Sequence, residues 1–188
     1  MTDRRNPTVL DTLLEVQAFD RVPRMGFVLR GVDLPESVAA HSWQVAFLVW
    51  SLAPKIRLRI PEFDAYRALE LALVHDLAEL RIGDIPRVAA HYLPTGAKKA
   101  AETAAFDDLM APFGERAQAL SAEYADGTTP EAKLVKACDK VQLLLKVAEY
   151  ERWGEGGLGE FWENPQNFGD HGFPEVREIL DALYARRA

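Results

Sequence analysis

The sequence predicts an all-α fold, a helical bundle organised as a single domain over residues 1–188. Three observations carry this. Apolar residues recur at helical spacing through long segments, no stretch alternates long enough for a strand, and serine, threonine, proline and glycine stand where helices start and stop. The length suits one domain with a real core and is short for two. Neither an internal repeat nor a low-complexity tract is present.

Each element follows from a local pattern. Leu10, Leu13, Leu14 and Val16 share a helical face, which predicts a first helix over Val9 to Phe19. Residues 20–35 then read as a loop with two prolines, two glycines and three arginines, a length that compact domains keep for function. Ser37 is the expected N-cap of a second helix through His41, Val45, Leu48 and Leu52, which Pro54 ends or kinks. A third helix begins near Pro61-Glu62 and reaches about Leu80, with Gly83 breaking the chain beyond it. One of its stripes runs Ala65, Ala68, Leu69, Ala72 and continues as His75, Asp76 and Glu79. Its other faces are also apolar, which places it in the middle of the domain.

Residues 87–94 read as irregular and contain His91. Helical patterns return over Ala97 to Met110 and Glu115 to Tyr124. Thr129 as N-cap and Pro130 at the first helical position then open a long helix to about Arg152. The tail is rich in aromatics and ends in an amphipathic helix, residues 174–186, expected to pack on the core.

Composition narrows the function. A net charge of −7 argues against a general binder of nucleic-acid polymers or anionic membranes, both of which need a basic face. It also means that a phosphate-bearing ligand needs a local cationic pocket. Cys138 is the only cysteine, which excludes an internal disulfide and a thiolate zinc cluster and fits a reducing compartment. With no signal peptide or membrane span in the pattern, the expected location is cytoplasmic.

A buried, uncompensated charge costs at least several kcal/mol. Yet three helices expected to be buried each carry titratable groups: His41, the adjacent pair His75-Asp76, and Asp139. Taken singly, His41 reads as a satisfied core histidine and Asp139 as the partner of Lys136 or Lys140. Taken together, two imidazoles and two carboxylates form a ligand set for one divalent cation, Mn, Co, Fe, Zn or, less well, Mg, with positions left for water or substrate.

The segments around these residues, Glu36-Ser-Val-Ala-Ala-His-Ser42, His75-Asp-Leu-Ala-Glu-Leu-Arg-Ile-Gly-Asp-Ile-Pro86 and Glu131-Ala-Lys-Leu-Val-Lys-Ala-Cys-Asp-Lys140, resemble the HD-domain phosphohydrolases, and within them the 5′-deoxynucleotidase branch. The resemblance runs from about residue 21 to residue 162. It implies an HD-domain helical bundle with a metal site between buried central helices, a 5′-deoxyribonucleotide substrate, and a homodimer. By the same resemblance His41, His75, Asp76 and Asp139 match the metal ligands, Asp76 and Glu79 the catalytic acids, and Asp84 the residue against the deoxyribose. Arg21 matches the arginine that holds the phosphate, although a longer spacing to His41 leaves Arg24 as an alternative. Val22 stands where some members have tryptophan. A metal lowers the pKa of water and neutralises phosphoryl oxygens, Glu79 is placed to relay a proton, and a guanidinium offers two parallel donors to phosphate. Phosphomonoester hydrolysis is the expected reaction.

Rival readings differ in their residues. An HD-type hydrolase of guanosine pyrophosphate alarmones has an acid followed by Asp, whereas Glu79 precedes Leu80. A di-iron oxygenase of the same superfamily needs two further histidines before the last Asp, and only His91 lies in that interval. A binding module with a purely structural metal needs neither Glu79, Asp84 nor a nearby arginine.

Overall fold

The computed structural model describes residues 7–187. In chain order its helices are α1 (Val9–Val16), α2 (Met25–Val28), α3 (Val38–Arg59), α4 (Ala65–Val74), α5 (Glu79–Ile82), α6 (Arg87–Ala90), α7 (Ala97–Met110), α8 (Glu115–Asp126), α9 (Pro130–Arg152), α10 (Gly159–Glu163) and α11 (Pro174–Ala185). Among the described residues there is no strand, and one antiparallel bridge joins Pro23 to Ser37.

Helices α3, α4 and α9 pack on one another and make the centre. Val45, Val49 and Ile56 from α3, Leu71 from α4 and Leu134, Val141 and Leu144 from α9 are fully buried there. Burying each such side chain contributes about 1.5–3 kcal/mol. The same core continues through Phe27 to Val176 and Leu180 of α11, so the C-terminal helix docks as expected. Local signals placed several boundaries well. Ser37 caps α3 by accepting from the Ala40 amide, and Thr129 caps α9 by accepting from the Ala132 amide.

Elsewhere tertiary context overrides the local pattern. Residues 20–35 are not a plain loop: a 3₁₀ turn over Gln17–Arg21 and α2 lie within or across it, and Phe27 and Val32 enter the core. Pro54 neither ends nor sharply stops α3, which continues to Arg59. Proline there leaves the Trp50 carbonyl without its helical donor, but that side of the helix faces solvent while Leu52, Ala53 and Ile56 hold the other side in the core. Helix α4 starts later than Pro61, capped by Asp64, whose carboxylate accepts from the Tyr66 and Arg67 amides. It is also not apolar all round in its burial, since Tyr66 and Leu73 are exposed. On α1 the apolar face with Leu10, Leu13 and Leu14 is exposed, and Thr12 docks instead, donating its hydroxyl to the Leu109 carbonyl. Residues 87–90, expected to be irregular, form α6.

Candidate metal and phosphate site

The third predicted helix does not run unbroken to Leu80. It ends at Val74, residues 75–78 form turns, and α5 follows. The turn carries short i to i−3 bonds, from the Leu77 amide to the Val74 carbonyl and from Glu79 to Asp76. In a regular helix His75 and Asp76 would point about 100° apart. Here His75 Nε2 lies 3.2 Å from Asp76 Oδ2, so both reach one point.

His41 from α3 joins this pair, and Asp139 from α9 touches His41 from outside the three-residue cluster. His41 is wholly buried, its Nε2 3.5 Å from Asp76 Oδ2 and 3.3 Å from Asp139 Oδ1. One ligand atom each from His41, His75 and Asp76 lie within 4.8 Å of one another. Two donors each ~2.1 Å from a shared ion at tetrahedral or octahedral angles are about 3.0–3.4 Å apart, which the observed separations approach. Both imidazole Nε2 atoms are buried without a hydrogen-bond partner. That is the state in which a nitrogen lone pair is free for a cation. The fit extends behind the rings: His75 Nδ1 donates to the Ala72 carbonyl at 2.8 Å, and His41 Nδ1 meets Gln142 Oε1. Both contacts put the ring proton on Nδ1 and leave Nε2 facing the cluster. Asp139 also keeps the ion pair that its sequence context suggested, with Lys140 Nζ 2.9 Å from Oδ2.

Electrostatics sharpen the arrangement. Burial works against ionising Asp76, but His75, His41 and Arg24 hold its carboxyl well below the usual range. Burial likewise opposes Asp139, which Lys140 and His41 keep ionised. Glu79, on the first turn of α5, is the opposite case: burial first, then the charges of Asp76 and Asp84, push it up to about 9, and its Oε2 has no partner.

The two arginines separate cleanly. Arg21 ends the 3₁₀ turn and is exposed. Arg24 is held by the bridge to α3, its amide donating to the Glu36 carbonyl while the Val38 amide donates to Val22. Its side chain is 14 % exposed and places Nη1 3.5 Å from Asp76 Oδ2. Burial disfavours the guanidinium, but Asp76, Asp139, Asp84 and Glu79 hold it charged. Asp84 follows Gly83, whose φ of 75° is the left-handed conformation that glycine adopts without strain. The Asp84 carboxylate accepts from the Met25 amide at 2.8 Å, which ties α2 and Arg24 to the same wall.

A cavity of about 610 Å³ opens over these groups, lined by Arg24, Asp76, Glu79, Asp84 and Asp139 together with Phe161. The volume is in the range of small-ligand pockets. Val22, where some members have tryptophan, is not among its lining residues; the rings there are Phe27 and Phe161. His91 is exposed and packs edge-on against Tyr92.

Gln142 escaped the sequence reading, and Glu36 entered it only as part of a quoted segment, without a role. Gln142 is 1 % exposed and passes its amide hydrogens to Glu36 Oε1 and Oε2 at 3.1 and 2.9 Å and to Gln44 at 3.1 Å. The available signal was spacing: Gln142 is three residues after Asp139 on the same buried helix.

An HD-domain family model matches residues 17–176. The chain is 33% identical to the 5′-deoxynucleotidase HDDC2 of Bos taurus, covering all of this chain and 89% of that protein. It is 31% identical to the protein of the same name from Homo sapiens, over 96% of this chain and 87% of that one. Among solved structures it resembles a conserved hypothetical protein from Pyrococcus furiosus, at 36% identity and TM-score 0.82, covering 95% of this chain and 99% of the other.

Proposed function

Because the chain belongs to the HD-domain family, we propose that it is a metal-dependent 5′-deoxynucleotidase, which hydrolyses deoxyribonucleoside monophosphates to a deoxynucleoside and phosphate. The observation that carries this reading is the cluster of His41, His75 and Asp76, with Asp139 3.3 Å from His41, beside Arg24 and Glu79. The first four residues hold one divalent cation; the mixed nitrogen and oxygen set suits Mn, Co, Fe or Zn and, less well, Mg. A cation held there supplies positive charge against phosphoryl oxygens and makes water a better nucleophile near neutral pH.

The protein's own residues do the rest. Arg24 takes two phosphoryl oxygens with its planar fork, a role supported by its burial in the cavity where Arg21 is exposed. Glu79, with a free Oε2 and a raised pKa, moves the proton exchanged during attack on phosphorus. Asp84 bounds the sugar side, its carboxylate held in place by the Met25 amide, and discriminates there against a 2′-hydroxyl. Phe161 offers the nucleoside an apolar face.

The continuous core from Phe27 to Leu180 supports one HD domain. The outer face of α3 supports a homodimer: Trp43, Phe47 and Trp50 are each more than half exposed, with neighbouring ring centroids 5.7 and 5.6 Å apart. The net charge of −7 favours a small nucleotide over a nucleic-acid polymer or membrane. The lone, buried Cys138 fits a cytoplasmic setting, and no helix among the described residues is long and apolar enough to cross a membrane.

The test is to incubate the purified protein with Mn²⁺ or Co²⁺ and a panel of deoxy- and ribonucleoside monophosphates and to measure phosphate release. Release from deoxynucleotides in preference to ribonucleotides is expected. Release only from guanosine pyrophosphates, or from nothing with metal restored, would reject the assignment.

A further inference from the structure

A second cavity, of about 350 Å³, meets the first at the cluster. The two share Asp76, Glu79, Lys98 and Asp139 and no other lining residue. The first is walled by α2, the segment after Asp84, and α10; the second is walled by α7, α8 and the start of α9. Its distinctive polar residues are Lys99 and Lys136, with Glu102 and the hydroxyl-bearing Thr103, Ser121 and Tyr124 beside them. Among the described residues neither Lys99 nor Lys136 belongs to an ion pair, whereas Lys98 has Glu102 at 3.4 Å. Lys136 instead rests its ammonium 4.8 Å from the centre of the Tyr124 ring, and that ring packs edge-on against His75. Burial, and then the neighbouring charge of Lys99, pull the Lys136 pKa down. Two ammonium groups outside any ion pair, Lys136 with the charges of Asp139 and Asp126 near it, thus line a pocket that ends at the reacting centre.

We propose that this second cavity is a binding site for inorganic phosphate, which receives the anion formed at the cluster while the nucleoside still fills the first cavity. The proposal rests on the hydrolase reading, which places phosphate at the junction of the two cavities. Its chemistry differs from that of the substrate side. The fork of Arg24 fixes an orientation, whereas lysine ammoniums are mobile point charges that hold a small dianion without specifying its pose. A phosphate leaving this way need not wait for the nucleoside, so either product can depart first.

The test begins with calorimetric titration of the metal-free full chain with inorganic phosphate, which needs no turnover. Lys99→Ala, at an exposed position, is expected to weaken phosphate binding tenfold or more, and Lys99→Ala with Lys136→Met further. Arg24→Ala should leave this binding in place. Phosphate binding abolished by Arg24→Ala and untouched by Lys99→Ala would confine the anion to the first cavity and overturn the proposal. In steady state with Mn²⁺, phosphate is expected to inhibit the wild type in a mixed pattern against varied deoxynucleotide, and Lys99→Ala competitively. Purely competitive inhibition of the wild type would equally overturn it. Failure of the deoxynucleotidase reading itself shows instead as absent turnover with phosphate binding still dependent on Lys99.

Discussion

Gln142→Leu removes a side chain that never reaches the cavity and is expected to disable the metal site. In the wild type the Gln142 oxygen receives the His41 Nδ1 proton, and its nitrogen feeds both oxygens of Glu36. The amide cannot turn over without facing its own nitrogen to the ring and its oxygen to a carboxylate, so it enforces one His41 tautomer. Leucine has similar volume, so packing changes little. What changes is satisfaction of hydrogen bonds: the ring N–H loses its acceptor, and Glu36 retains only Gln44 at 3.5 Å and Lys146 at 3.8 Å. Each buried group left unpaired costs about 1–3 kcal/mol, so stability should fall by roughly 2–6 kcal/mol for the two. With the tautomer no longer enforced, metal affinity should fall about 10–100-fold, as for other partners behind metal-binding histidines. Gln142→Glu keeps an acceptor for His41 and should recover most of the metal affinity, despite a like charge beside Glu36. Chelator competition gives the affinity and thermal unfolding of the metal-free variants gives the stability. Wild-type metal affinity in Gln142→Leu would refute the tautomer argument, whatever the unfolding midpoint.

Glu79→Gln should retain metal and lose about 10²–10⁴-fold in turnover, while Asp76→Asn loses both; metal analysis beside the rate checks each. The same residue gives a pH signature. Folded, metal-free protein holds a proton on Glu79 from its ordinary 4.5 up to about 9 that the unfolded chain releases. Its stabilising share is therefore complete below the unfolded value and is lost as pH rises through that window. At His75 burial opposes the proton but the charge of Asp76 outweighs it, so the pKa is raised and the ring acts in the same direction. The informative quantity is thus the difference from Glu79→Gln, whose melting curve should depend less on pH. Arg24→Lys should raise KM for the deoxynucleotide about 10–150-fold by losing the paired donors, whereas Arg21→Ala should alter it by no more than about twofold; equal effects would undo the choice between them. Asp84→Asn preserves an acceptor for Met25 and should narrow the ratio of deoxy to ribo rates, and an unchanged ratio would remove Asp84 from sugar discrimination.

What could be read from the chain divides along a physical line. Thr129-Pro130 and Ser37 state helix starts through contacts with the next few residues, and the structure keeps both. Pro54 also states a local preference, yet the core contacts of Ala53 and Ile56 outweigh it and α3 continues. The periodicity of Leu10, Leu13 and Leu14 is equally local: it specifies a helix and is silent on which face docks. At the site, His41, His75, Asp76 and Asp139 were legible because a buried titratable group demands an explanation. Gln142 made no such demand, since an uncharged amide costs far less to bury than an ion. The choice between Arg21 and Arg24 was illegible for another reason. It turns on a two-bond bridge between Val22–Arg24 and Glu36–Val38, a pairing made across the fold. That bridge points Arg24 at Asp76, where it neutralises part of the acidic cluster. A cation held by Asp76 would share that neutralisation and would leave the guanidinium more available to phosphate. Substrate binding through Arg24 would therefore be coupled to metal binding through Asp76, the carboxylate that Arg24 contacts.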